Sequence, residues 1–257
     1  MSEGTVHLSI DAGVASVVFD RPQARNAMTW AMYARLGEIC EQLRDDASVR
    51  VVTFRGAGGE AFVAGTDIEQ FREFDGDAGV AYERKIDACI GLLESLPMPT
   101  VAIVEGWCVG GGLAIATACD FRVATNNARF GVPIAKTLGN TLSIANLARL
   151  TAAFGLQRVK RMLMLAELPD AAEALSCGYL QQACEPSELD AAAAKLVSRL
   201  KALAPVTQRV VKEGLRRIVN HDLPNGEDLI HTCYGSADFR EGVDAFVNKR
   251  SPDWKGQ

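Results

Sequence analysis

Ala61-Phe62-Val63-Ala64-Gly65-Thr66-Asp67-Ile68 and Gly106-Trp107-Cys108-Val109-Gly110-Gly111-Gly112-Leu113-Ala114 are the stretches on which the reading of this chain turns. Each is a glycine turn leading toward a helix. The first amides of a helix have no intrahelical carbonyl to donate to, and the helix dipole makes that end attractive to negative charge. Two such ends aimed at one point form an oxyanion hole. Acidic residues are missing around the second stretch: none occurs from Gly106 to Cys119, nor from Phe121 to Ala166.

Outward from these stretches the chain alternates strands and helices. Val6–Ile10 and Val14–Phe19, around Asp11-Ala12-Gly13, predict a hairpin that ends at Arg21-Pro22. Thr29 is placed to cap a helix running through Leu43. Val51–Phe54, Val101–Val104 and Phe121–Ala124 are short apolar runs that predict buried strands. A helix is expected from about Val80 to Leu96, with Ile86, Cys89, Ile90 and Leu93 inward and Pro97 and Pro99 as its stop. The preceding Phe74–Gly79 reads as a mobile loop. Helices are expected over about 141–154, 156–165 and 170–176, and then over 187–203, 205–219 and 227–247. This order predicts an α/β core followed by a helical region.

The 257 residues suffice for a substantial core, and 48% hydrophobic with 23% charged residues is ordinary for a globular protein. A net charge of -5 argues against a general nucleic-acid binder. Seven cysteines without paired CxxC spacing point to reduced core thiols rather than disulfides or zinc. The N-terminus lacks a signal-peptide pattern, and no apolar run approaches the ~20 residues of a membrane span. A cytoplasmic setting and no membrane partner are therefore expected. No cluster of metal ligands and no dinucleotide fingerprint is present, so neither a metal nor a redox cofactor is expected.

The two glycine stretches, in this order and separated by a helix and a strand, resemble the enoyl-CoA hydratase/isomerase (crotonase) superfamily. Arg21-Pro22-Gln23-Ala24-Arg25-Asn26-Ala27-Met28 is similar to the family's N-terminal turn. Cys119–Ala124 is similar to its Cys-Asp-x-Arg-x-Ala strand, Ala128–Pro133 to its Phe-Gly-x-Pro segment, and Ser236–Phe246 with Lys249-Arg250 to its C-terminal signature. The resemblance implies a crotonase-like ββα spiral core with the acyl-CoA site over residues 1–195. It further implies a C-terminal helical oligomerisation region over 196–257, and a homotrimer or dimer of trimers. It implies an acyl-CoA thioester as substrate, coenzyme A being part of that substrate and not a separate cofactor. The backbone amides of Thr66 and Gly111 would be the oxyanion hole, and Ala64 would lie along the adenine. Ala24 and Arg25 would lie near the CoA moiety, and Lys249 and Arg250 near its phosphates.

The sequence departs from the family where hydratases carry two glutamates. The first position is Ala114, and the second is Ile134, or Ala135 in a shifted register. The three histidines (His7, His221, His231) lie outside the site segments and read as surface or packing residues. Thr66 stands where family decarboxylases can carry His, and Asn140 near where they can carry Tyr. Asn140 equally suits a turn after Gly139, Asp67 a helix cap, and Asp120 a structural acceptor. Lys136 is a cation on the same stretch that could pair with a substrate carboxylate. Decarboxylation of a malonyl-type thioester needs enolate stabilisation but no strong base, and it is the leading expectation. The alternatives are a hydratase or isomerase that recruits a carboxylate such as Glu69, Glu73 or Asp75, and an acyl-CoA-binding protein without catalysis.

Overall fold

β1 (Thr5–Asp11) and β2 (Val14–Asp20) pair antiparallel through the expected turn. The computed structural model describes residues 3–257, Gln70 by its backbone alone. Thr29 caps α1 (Trp30–Arg44) by accepting from the Met32 amide. Next come β3 (Val51–Gly56), β4 (Ala61–Ala64), a 3₁₀ turn over Ile68–Phe71 and α2 (Gly76–Glu94). The same order repeats with β5 (Thr100–Val104), β6 (Trp107–Val109) and α3 (Gly111–Ala118). A third turn opens with β7 (Phe121–Thr125) and β8 (Arg129–Gly131) and leads to α4 (Ile144–Phe154).

Each ββα turn gives one strand to each of two sheets. The large sheet has the order β1-β2-β3-β5-β7-β9, and the small one β4-β6-β8. All pairings after the hairpin are parallel. A parallel sheet is covered on both faces, which is why its strands read as continuous apolar runs. Val52, Phe54, Ala102 and Val104 enter the main core with Met32, Leu36, Ile90 and Leu113 from α1, α2 and α3. The alternate residues Val51, Val101, Ile103 and Val123 face the other way. The chain is therefore a mixed α/β protein with a ββα spiral core.

After α5 (Leu156–Met164), α6 (Ala171–Ser176) and β9 (Gln182–Cys184), α7 (Leu189–Lys201) covers that second face with Leu189, Ala192, Ala193 and Leu200. Residue 195 lies within α7. α8 (Pro205–Val219), α9 (Glu227–Tyr234) and α10 (Ala237–Val247) complete the chain. No helix among the described residues is long and apolar enough to cross a membrane.

Two expectations are corrected. Residues 76–79 of the supposed mobile loop are the first turn of α2, because the Asp75 carboxylate accepts from the Ala78 amide and caps the helix there. The expected single helix over 227–247 is two, because the Ser236 hydroxyl accepts from the Phe239 amide and starts a new helix. The three strands of the small sheet and the short β9 are seen only in the structure. At three or four residues each, they are too brief for periodicity to register.

Candidate active site

The two glycine turns lie against each other. An added Cβ on Gly110 would stand 3.2 Å from the Cα of Gly65, and one on Gly111 would stand 3.2 Å from the Thr66 hydroxyl oxygen. One on Gly112 would meet the Val63 carbonyl oxygen at 2.0 Å. Only glycine lets the start of α3 approach β4 this closely. Gly111 is the first residue of α3, so its amide has no intrahelical acceptor.

Thr66 presents its amide for a different reason. The segment before α1 runs parallel to it: Met28 N donates to Gly65 O, and Asp67 N to Met28 O, each at 2.9 Å. In such a bridge the backbone of Thr66 points away from Met28. No carbonyl among the described residues accepts from the amide of Thr66 or of Gly111.

Both residues line a cavity of about 170 Å³ whose wall also includes Ala64, Ala114, Ile134 and Asn140. The wall is otherwise mostly apolar, and among the described residues that line it Glu83 is the one charged side chain. Glu83 stands on α2 and is 3% exposed. Tyr234 Oη donates to its Oε1 at 2.7 Å, and the Ser143 amide to its Oε2 at 3.2 Å. Burial pushes its carboxyl up to about 7, opposed by the Tyr234 and Ser143 hydrogen bonds and aided by the nearby Asp87. Asn140 Nδ2 donates to Tyr234 Oη at 3.1 Å, while Asn140 Oδ1 is buried with no hydrogen-bond partner.

The Thr66 side chain does not reach for the cavity centre. Its hydroxyl sits between Tyr33 Oη at 2.9 Å and Tyr82 Oη at 3.2 Å. Burial raises both phenols, so they stay protonated and serve as neutral donors and acceptors. Arg122 secures the other end of α3, donating to the carbonyls of Ala116, Cys119 and Asp120. A cation at a helix C-terminus complements the dipole, and here it also satisfies carbonyls that would otherwise be orphaned. Asp120 is a structural acceptor, bonded by Thr100 N, Thr100 Oγ1 and Lys212 Nζ. Asp67 caps the 3₁₀ turn and pairs with Arg21 at 2.8 Å.

The remaining expected groups lie elsewhere. Ala24 is in a 3₁₀ turn over Pro22–Ala24, and Arg25 pairs with Glu60 at 2.6 Å. Lys249 and Arg250 follow α10, where Arg250 pairs with Glu241 and Asp244. None of these four lines the cavity, although Phe246 of α10 does. Lys136 is exposed, and Glu69, Glu73 and Asp75 do not line the cavity either. His7, His221 and His231 are on the surface, next to Asp20, Asp222 and Asp77 respectively. No group of three or more His, Cys, Asp or Glu among the described residues could hold a metal ion.

Sequence reasoning missed Glu83, Tyr234 and the Tyr33–Thr66–Tyr82 hydroxyl row. Glu83 left one signal: it falls on the same stripe of α2 as Ile86, Ile90 and Leu93, where a carboxylate is rarely buried unless it has a partner.

Two amides at adjoining glycine turns, neither with a carbonyl acceptor among the described residues, thus open into one largely apolar cavity. The model of the enoyl-CoA hydratase/isomerase family matches residues 9–257, and the chain belongs to that family. It is 31% identical to the short-chain-enoyl-CoA hydratase of Clostridium acetobutylicum over 254 residues, with 97% of each chain covered. Among solved structures it resembles an enoyl-CoA hydratase from Mycobacterium avium subsp. paratuberculosis K-10 (TM-score 0.83, 28% identity, 97% of this chain and 98% of that one). It also resembles a methylmalonyl CoA decarboxylase complexed with 2S-carboxypropyl CoA (TM-score 0.88, 25% identity, 100% of both chains).

Proposed function

We propose that this protein polarises an acyl-CoA thioester between the amides of Thr66 and Gly111, and that its reaction is decarboxylation of a malonyl-type thioester. One observation carries the reading: the oxyanion hole opens into a cavity whose wall is apolar at Ala114 and Ile134 and has no cationic side chain among the described residues. An ionised substrate carboxylate is costly in such surroundings. Its loss as CO2 moves the negative charge onto the thioester oxygen, where two preorganised amides receive it. Adding water across a double bond by paired carboxylates has no second acid here to support it.

A second reading rests on Glu83. A single carboxyl that takes a proton from one carbon and returns it to another suffices for shifting a double bond. Incubation with malonyl-, methylmalonyl- and ethylmalonyl-CoA, alongside crotonyl-CoA and a 3-enoyl-CoA, separates the two by mass and chromatography. CO2 loss from a malonyl-type member is expected. Isomerisation of the 3-enoyl thioester without any CO2 release would replace the first reading with the second. Binding without turnover of any member would make this an acyl-CoA-binding protein.

We further propose that α8 is an assembly surface. Val206, Val210, Val211, Leu215 and Ile218 leave an exposed apolar stripe along it, of the kind that a symmetric oligomer buries.

A further inference from the structure

We propose that Glu83 is the group that exchanges the proton at the α-carbon of the bound thioester, with Tyr234 as its positioning residue. The assignment rests on the thioester reading above and goes beyond it, since the two positions where a family carboxylate is expected are Ala114 and Ile134.

Geometry carries it. Glu83 reaches the cavity from α2, not from the segments that follow the glycine turns, and it shares that cavity with Thr66 and Gly111. Both of its oxygens are held, one by the Tyr234 hydroxyl and one by the Ser143 amide. Tyr234 is itself held by Asn140. The carboxyl is thus fixed in orientation at the wall of an apolar chamber. No cation among the described residues lines the cavity with it, so keeping an ionisable acid buried there costs stability.

Its surroundings set the proton affinity. Tyr234 bonds it from α9, and Asp87 on α2, Tyr33 on α1 and Tyr82 on α2 are the other titratable groups within its electrostatic reach. Arg149 on α4 is engaged with Asp87 at 3.5 Å and Glu94 at 3.2 Å. Raised by burial to about 7, the carboxyl is present in both forms at neutral pH, which suits a group that must take and give a proton. In the ionised form it removes the α-proton: the Cα–H bond breaks, its electron pair enters the thioester enolate held by the two amides, and the proton rests on Glu83. In the protonated form it completes a decarboxylation: CO2 leaves, the electron pair of the broken C–C bond forms the enolate, and Glu83 delivers its proton to Cα and regains one from water.

Propionyl-CoA in D2O tests this apart from any overall reaction, because it can do nothing but exchange its α-hydrogens. Wild-type protein is expected to incorporate deuterium at Cα, with a rate that rises with pH to a plateau and a midpoint near 7. Glu83→Gln should bind propionyl-CoA with unchanged affinity by calorimetry and exchange roughly 100-fold more slowly or worse. Tyr234→Phe removes a hydrogen bond that holds the carboxyl down, so its midpoint should move to higher pH. That measurement decides the matter if the Gln variant fails to fold. Exchange by Glu83→Gln at the wild-type rate would overturn the assignment, as would tight binding with no exchange by wild type or an unmoved midpoint in Tyr234→Phe. Failure of wild type to bind propionyl-CoA would instead overturn the thioester reading, and this assignment with it.

Discussion

Glu83 makes the protein's stability depend on pH in an uncommon direction. Its carboxyl rises from 4.5 to about 7 on folding, so between those values the folded state holds more protons than the unfolded one. Stability contributed by this group is therefore present at low pH and is lost as pH rises toward 7. The rise corresponds to about 3 kcal/mol, an upper figure for a buried group. Glu83→Gln keeps the size and an acceptor for Tyr234 while removing the titration. It should be the more stable protein at pH 8 and no more stable at pH 5, as read by chemical denaturation at both. Equal pH dependence in the two proteins would show that Glu83 titrates normally. Such an expense in stability is what a functional carboxyl in an apolar site incurs.

The elements converge because two glycines permit it. On α3, Gly112 allows the backbone to touch β4. Gly112→Ala would drive its Cβ into the Val63 carbonyl, and a loss of roughly 3 kcal/mol or more is expected in thermal unfolding. On α2, an added Cβ at Gly79 would fall 2.3 Å from the Tyr234 ring. Gly79 and Glu83 stand one helical turn apart on the same face, so the glycine makes the space from which Tyr234 reaches the carboxyl. Gly79→Ala should displace Tyr234 and move the pH midpoint of α-proton exchange while leaving CoA binding in place. The adjoining glycine turns were legible in the sequence because such turns and a helix start are local features. Thr29, Ser143 and Asp170 cap helices at or near the expected starts. The Glu83–Tyr234–Asn140 chain was not legible, because its members are separated by up to 151 residues and meet only when α9 folds onto α2. The short strands of the small sheet were hidden for a related reason: they exist only as neighbours of one another.

At the scale of the whole molecule, the spiral places each turn of chain one strand further along two sheets, and so brings all three ββα turns to one cavity. The proposed assembly surface on α8 is tested at this scale through its exposed Val210 and Ile218. Val210→Glu together with Ile218→Glu should shift the protein to a smaller species in light scattering, and an unchanged mass would remove α8 from the interface. The cavity is mostly apolar, and the charged Lys249 and Arg250 after α10 lie outside it.

All of this depends on the amides of Thr66 and Gly111 acting together on a thioester carbonyl. Isotope-edited infrared spectroscopy of propionyl-CoA labelled with carbon-13 at the carbonyl measures that directly, without any turnover. The account predicts that the carbonyl band of the bound thioester moves to a lower frequency than in water, as two hydrogen bonds lengthen the C=O bond. It predicts the same displacement in Glu83→Gln, which leaves the hole intact. A bound thioester whose carbonyl band stays at its frequency in water would contradict it.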